Sequence, residues 1–271
     1  MRRAAAVVSA LMFAGMVTVN GLANGLPLNG VNTGRLSDEL PNLFVPAGVT
    51  FAIWGLIYAL LLGHVAVVLR EAFAGDGDAT WAPADGWLFS ANAAFNGAWI
   101  FAWHWRLVPL SLAIMLGILG TLIALVERMH RAGPPAGTVG PVRRFFLRTP
   151  IRVYLGWIGI ATIANVTAVL VDAGWSGGGL DPRWWTAAVI LAGAGIGTAL
   201  VLLRGAVASG LVVLWAFAGI ILKRAEVGGN AAGTVIVASA LGAVVVAVAI
   251  AVRLLRKPAP RAAGNAGTVA R

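Results

Sequence analysis

The chain has 271 residues, of which 59% are hydrophobic and 11% charged, with a mean hydropathy of +0.87. Ordinary soluble domains carry roughly 25% charged residues, so this composition excludes a water-soluble globular protein and a disordered one. The formal net charge is +10 and there is no cysteine, which excludes a disulfide framework, a thiolate metal site and a thiol nucleophile.

A helix needs about 20 mostly apolar residues to cross about 30 Å of hydrocarbon. Eight stretches qualify, at approximately 4–25, 46–70, 86–105, 108–127, 151–173, 184–203, 206–222 and 232–255. They are continuous rather than alternating, and too long for barrel strands of about 10 residues. The expected fold class is therefore all-α: a polytopic transmembrane helix bundle of about eight spans. The first stretch follows Arg2 and Arg3 and has the look of a secretory signal. However, Ala23-Asn24-Gly25 is a poor cleavage site and seven spans follow, so a retained helix is expected. The seventh stretch is the shortest. The turn before it, Arg204-Gly205, is tight and predicts a close hairpin of spans six and seven.

With the N-terminus cytoplasmic, Arg35, Arg106, Arg183, Lys223 and Arg224 fall on the outer side, leaving 15 of the 20 basic residues inside. This bias predicts a multi-pass plasma-membrane protein with both termini cytoplasmic. It also accounts for the net charge without nucleic acid, which is not an expected partner; the lipid bilayer is. Lys223 and Arg224 run against the rule, so they are either exceptions or signs that one of the last three spans is displaced.

The connections are small. Segment 26–45 is polar, rich in Asn and Gly, and the longest on the outer side. Segment 71–85 holds Glu71, Asp76, Asp78 and Asp85. The basic segment 129–150 reads as a topology signal and a contact for anionic lipid. The tail from Pro258 is expected to be disordered. Function must therefore lie in the bundle or in the 26–45 loop.

No HExxH, GxSxG, P-loop or Rossmann glycine pattern occurs. His64, His104 and His130 lie at different levels and are not spaced as metal ligands. No acid or base sits near a membrane centre, which argues against a proton-coupled pump. Catalysis is not demanded by any residue, and every charge reads as solvated or interfacial.

The informative residues are aromatic and amide. There are 11 tryptophans. Trp81, Trp87, Trp105, Trp175, Trp184 and Trp185 fall near span ends, where indoles anchor at lipid headgroups. Trp54 and Tyr58, four apart, share a face of the second span. Asn92, Asn96, Trp99 and Trp103 form one stripe on the third, and Tyr154, Trp157, Ala161 and Asn165 another on the fifth. An amide in hydrocarbon must find a partner, so the asparagines face protein or a cavity. Two readings stay open: amides crosslinking helices with aromatics filling the core, or an aromatic-lined pocket for a flat hydrophobic ligand. In the later spans, Gly193 and Gly197 form a GxxxG pair, suited to packing within the chain or to an oligomer interface. Trp215 reads as packing, and Val235 to Val252 as lipid-facing scaffold.

Three stretches resemble the translocator protein / tryptophan-rich sensory protein family (TspO/MBR). Pro46 followed by Phe51-Ala52-Ile53-Trp54-Gly55-Leu56-Ile57-Tyr58 is similar to its second-helix pattern, F-x-x-W-x-x-x-Y. Asn96-Gly97-Ala98-Trp99 is similar to its third-helix N-x-x-W. Residues Tyr154, Trp157, Ala161 and Asn165 match its fifth-helix Y-x-x-W-x-x-x-A-x-x-x-N. The three occur in the right order on successive spans and cover about residues 1–175.

The resemblance implies a five-helix bundle, often dimeric, whose pocket opens under the loop joining helices one and two. Family members bind porphyrins and other flat apolar ligands, and sterols in animals, and are linked to tetrapyrrole and stress signalling. A porphyrin or heme would then be a ligand and a homodimer the expected assembly; since no residue demands catalysis, the protein is not expected to be an enzyme. The pocket candidates are Trp54, Tyr58, Asn96, Trp99, Tyr154, Trp157, Ala161 and Asn165, with Asn92 and Trp103 from the same stripe. Pro27, Asn32, Ser37 and Asp38 would belong to a lid loop. The chain departs from the family in two places. Its first helix ends Asn20-Gly21-Leu22-Ala23-Asn24-Gly25-Leu26-Pro27, without the usual proline- and tryptophan-rich region, and the following loop is longer. Residues 184–255 add about three helices. The expected organisation is 1–175 as the family-like unit, 176–257 as additional helices and 258–271 as a tail. The rival readings are a transporter of a neutral or amphipathic small molecule, an enzyme that degrades a tetrapyrrole, and a membrane scaffold.

Overall fold

A computed structural model describes residues 1–26, 28–74, 80–132 and 139–256. Eight long helices carry the fold: α1 (Arg2–Gly25), α3 (Ile53–Phe73), α4 (Pro83–His104), α5 (Val108–Arg131), α6 (Pro141–Asp172), α7 (Pro182–Arg204), α8 (Val207–Val227) and α9 (Ala232–Leu255). A six-residue α2 (Thr33–Asp38) lies between α1 and α3, and a 3₁₀ turn over Gly48–Ala52 leads into α3. The described residues contain no strand. The protein is an all-α, multi-pass membrane bundle. Seven of the long helices are long and apolar enough to cross a bilayer.

The eighth, α4, is diluted by Asp85, Ser90, Asn92, Asn96 and His104, and it buries all but the first of these inside the bundle. It runs parallel to α1. Ser9 Oγ donates to Gly86 O at 2.9 Å near one end, and Asn20 meets Asn96 farther along. The N-terminal helix is thus a packed member of the bundle. Helices α7, α8 and α9 pack on one another, and α8 docks on α6 and on the 3₁₀ turn. One apolar core runs continuously from Phe13 and Met16 to Val246 and Ile250.

Small residues set the close approaches. A Cβ on Gly156 would lie 2.8 Å from backbone atoms of Ser209, so α6 and α8 touch main chain to main chain there. Gly193 faces Ile163, Ile160 and Phe217, and Gly197 faces Val213. The GxxxG pair therefore packs within the chain. At Gly205 the backbone is left-handed (φ 62°), which closes the tight α7–α8 hairpin.

Proline chemistry explains one buried histidine. Pro150 lies inside α6 and has no N–H, so the carbonyl of Phe146, four residues back, loses its helical partner. His64 Nδ1 donates to that oxygen at 3.0 Å, and Gly63 gives the Phe146 ring room against α3. This hydrogen bond requires the proton on Nδ1 in the neutral ring.

Several expectations change. The fifth predicted span starts at 151, but α6 begins at Pro141, so the basic stretch from Arg143 is helical rather than loop. Proline at the first helical position starts it there. Trp81 is not an interfacial anchor: it is 8% exposed and packs on Ala5, Ala6, Val68 and Leu147. Trp215 is half-exposed, and its Nε1 donates to Thr50 O at 2.9 Å, tying α8 to the 3₁₀ turn. Glu71 is not solvated; it is buried and accepts from Thr80 N at 2.9 Å and from Arg143. The predicted scaffold helix α9 has two faces, with Val237, Leu241 and Val244 exposed and Val235, Gly242 and Val246 buried. Lys223 does not signal a displaced span. α8 runs its full length to Val227, and Lys223 Nζ pairs with Asp38 at 2.7 Å. Asp76, Asp78 and the tail from Pro258 lie outside the described residues.

The α6–α8 contact makes a test. Gly156→Ala is expected to cost about 1–3 kcal/mol by forcing the two backbones apart. Gly159→Ala, where nothing lies within 4 Å of the added Cβ, is expected to be neutral or mildly stabilising. Equilibrium unfolding of both variants in detergent micelles checks the difference.

Candidate functional site

The amides of the first and third spans and the fifth-span tyrosine meet in one chain of hydrogen bonds. Asn20 Nδ2 donates to Met16 O at 2.9 Å and to Asn96 Oδ1 at 2.8 Å. Asn96 Nδ2 in turn donates to Tyr154 Oη at 2.6 Å. Asn20, Asn96 and Tyr154 are all buried, so α1, α4 and α6 are joined by groups that water does not reach. A second link lies nearer the end of the bundle that carries α2. Trp99 Nε1 donates to Asn165 Oδ1 at 3.0 Å, and Asn165 Nδ2 donates to Ser111 Oγ at 2.9 Å, joining α4, α6 and α5. Asn92 Nδ2 donates to Ile118 O at 3.1 Å and Thr121 Oγ1 at 2.9 Å, while its Oδ1 is buried without a partner.

The aromatics stack around these links. Trp54 lies on Tyr58 (centroids 5.5 Å, 23° between planes) and meets Tyr154 and Trp157 edge-on at 5.9 and 6.2 Å. Phe51 adds an edge contact to Trp157 at 5.8 Å. Trp99 stacks on Trp103 at 5.4 Å and 15°. Trp157 is buried with its Nε1 unpartnered, whereas Trp54 and Tyr58 are only half-buried. Ala161 is half-buried and adds no bulk between them. The two stripes and the Trp54/Tyr58 pair thus converge on one aromatic–amide seam among α1, α3, α4, α5 and α6. Its rings pack on one another, with the Trp54–Tyr58 stack left partly exposed.

The segment after α1 folds over the Trp103 end of the seam. Asn29 Nδ2 donates to His104 O at 2.9 Å. Val31 and Leu36 are buried against Trp103, Val108 and Ala168. Asn32 caps α2, its Oδ1 accepting from Arg35 N at 3.0 Å, a structural role. Trp103 Nε1 donates to Thr33 O at 3.3 Å, and Glu39 pairs with Arg106 at 2.9 Å. Ser37 and Asp38 are set apart from the seam; they border a cavity of about 570 Å³ shared with the ends of α6, α7 and α8. Pro27 lies outside the described residues. At the opposite end of the bundle a cavity of about 650 Å³ is lined by Arg2, His64, Trp81, Asp85, Phe89 and Arg128 among others.

Asn20, Ser111 and Thr121 complete the hydrogen bonding and were not singled out by the stripes. Asn20 and Asn24, four apart in an apolar span, carry the same signal as Asn92 and Asn96. Ser111 and Thr121 carry none, because hydroxyls in apolar helices commonly bond their own backbone. His64 and His104 are buried and far from forming a metal set; among the described residues no cluster of His, Cys, Asp or Glu could hold an ion.

The Asn96 link predicts its own energetics. Asn96→Ala leaves Tyr154 Oη and the Asn20 amide short of partners and is expected to cost about 1–2 kcal/mol. Tyr154→Phe is expected to cost about 1 kcal/mol. A double-mutant cycle of the two, read by unfolding in detergent, is expected to show a loss smaller than the sum.

A family model described as "TSPO-like protein" matches residues 6–252. The match runs from the first long helix to the last, past residue 175 where the motif resemblance ends. No curated protein and no solved structure matches the chain. With nearly its whole length matched, and with a seam built from the residues that carry the motifs, the chain belongs to the TSPO-like family.

Proposed function

We propose that this protein reversibly binds a flat hydrophobic ligand, of porphyrin or sterol shape, at the aromatic–amide seam. The observation that carries the proposal is the half-buried Trp54–Tyr58 stack set edge-on against Tyr154 and Trp157. Aromatic faces at half burial offer a large apolar contact at low ordering cost. A ligand plane inserted there exchanges ring–ring stacking for ring–ligand stacking. Asn96, Tyr154 and Asn165 supply orienting hydrogen bonds, and Trp99 and Trp103 wall the outer side beneath the 28–47 segment. Asn92 and Ala161 line the same stripes. The 28–47 segment packs against Trp103, Val108 and Ala168 and so lies over the Trp103 end of the site. The reading is of a binding protein without chemistry, acting in signalling as a sensor.

The second reading is a transporter of a neutral or amphipathic solute. It is favoured by one observation: cavities of about 650 and 570 Å³ sit at opposite ends of the bundle. Time-dependent ligand flux across proteoliposomes separates this reading from a protein that only binds.

The proposal extends to the setting. The protein sits in the plasma membrane with both termini cytoplasmic, as the basic bias predicts, and pairs as a homodimer. The family-like unit up to about residue 175 holds the seam, and the later helices enlarge it.

Two measurements test these statements. Tryptophan quenching with protoporphyrin IX is expected to saturate. Trp99→Ala and Asn165→Ala together are expected to weaken affinity by about tenfold, the loss of a stacked ring and one hydrogen bond. Unchanged affinity in a folded double variant removes the seam as the site. Because the chain has no cysteine, single Ser37→Cys and Arg256→Cys variants report topology directly. A membrane-impermeant maleimide applied to intact cells is expected to label the first and not the second.

A further inference from the structure

The outer cavity of about 570 Å³ holds a charge that the chain does not neutralise. Arg224, on the last turn of α8, lines this cavity and is 7% exposed. Its Nε is buried with no hydrogen-bond partner, and among the described residues no acid pairs with it. Its neighbour Lys223 is already paired with Asp38. A guanidinium stays protonated at any physiological pH. A buried, unpaired charge at the end of a membrane helix is costly and needs an anion beside it.

The rest of the cavity wall is chosen for a different kind of contact. Trp175, after α6, and Trp185, on α7, meet edge-to-face with centroids 4.8 Å apart and 70° between planes. Leu43, Leu170 and Val171 extend this apolar surface. The volume lies within the range of about 300–1,000 Å³ usual for small-molecule sites, which combine apolar walls with few polar groups. Helices α7 and α8 supply both Arg224 and Trp185, so the cavity is distinct from the seam.

We propose that this cavity binds an amphipathic anion: a carboxylate or phosphate head seated on Arg224, and an apolar body lying along Trp175 and Trp185. A planar guanidinium matches such oxyanions with two parallel hydrogen bonds. The head belongs either to a membrane lipid or to a free amphiphile. The assignment does not depend on the seam being a ligand site.

The test uses the full chain in neutral maltoside detergent and counts bound probes by native mass spectrometry. Dodecyl phosphate is expected to bind saturably with one tight site, and dodecanol is not. Arg224→Gln is expected to weaken dodecyl phosphate by about tenfold or more, and Arg224→Lys by less, since a point charge keeps attraction but loses the fork. Trp175→Ala, at a half-exposed position, is expected to fold and to weaken binding as well. Trp99→Ala, in the seam, is expected to leave it unchanged. Competition by phosphatidylglycerol identifies a lipid as the occupant, and lack of competition a free amphiphile; both outcomes support the assignment to Arg224. Equal binding of dodecanol, or undiminished binding in folded Arg224→Gln, overturns it.

Discussion

Water is absent from the interior of a bilayer, so each polar group placed there must find its partner within the protein. The Asn20–Asn96–Tyr154 chain is where this constraint acts most strongly. It draws α1, α4 and α6 to a common point, and there Asn96, one of the polar side chains that dilute α4, finds its partners. The Trp99–Asn165–Ser111 link repeats the device nearer the end capped by α2. The aromatic rings pack around these links in edge-on and stacked contacts.

The same constraint accounts for less conspicuous features. Pro150 leaves a carbonyl unpaired inside α6, and His64 from α3 supplies the missing donor. The 28–47 segment is polar in composition yet ordered, because Asn29, Asn32 and Asn42 use their side chains to satisfy backbone groups. Its apolar residues, Val31, Leu36 and Phe44, are then free to seal the bundle end. Arg224 is the informative contrast. It is buried without a partner while the groups around it are paired, which turns attention from the motif-bearing helices to α7 and α8.

Adding α7, α8 and α9 does not make a separate body. Gly156 on α6 admits the backbone of α8, and Ala47 N donates to Gly219 O at 3.0 Å beside the turn that starts α3. Ion pairs of Arg204 with Glu127 and of Lys223 with Asp38 join the two parts at opposite ends. The helix that carries Trp54 and Tyr58 is therefore braced by α8. A family match spanning residues 6–252 agrees with this continuity.

Composition and run length alone determined that the chain is a helical membrane bundle, since 59% hydrophobic residues in continuous stretches have no soluble solution. Helical spacing alone placed Asn92, Asn96 and Asn165 on buried faces, because an unpaired amide is excluded from lipid. Those inferences are local: they depend on one helix and its solvent. Which amide meets which ring depends on how helices distant in sequence approach, and that is decided by contacts such as Gly156 against Ser209. The sequence could not show that Asn20 completes the chain to Tyr154, that Trp81 is buried rather than interfacial, or that Lys223 is neutralised by Asp38 from 185 residues away. Nor could it show that Arg224, beside it, is left facing an apolar cavity. Each is a pairing across the fold, and only the tertiary structure brings the two halves together.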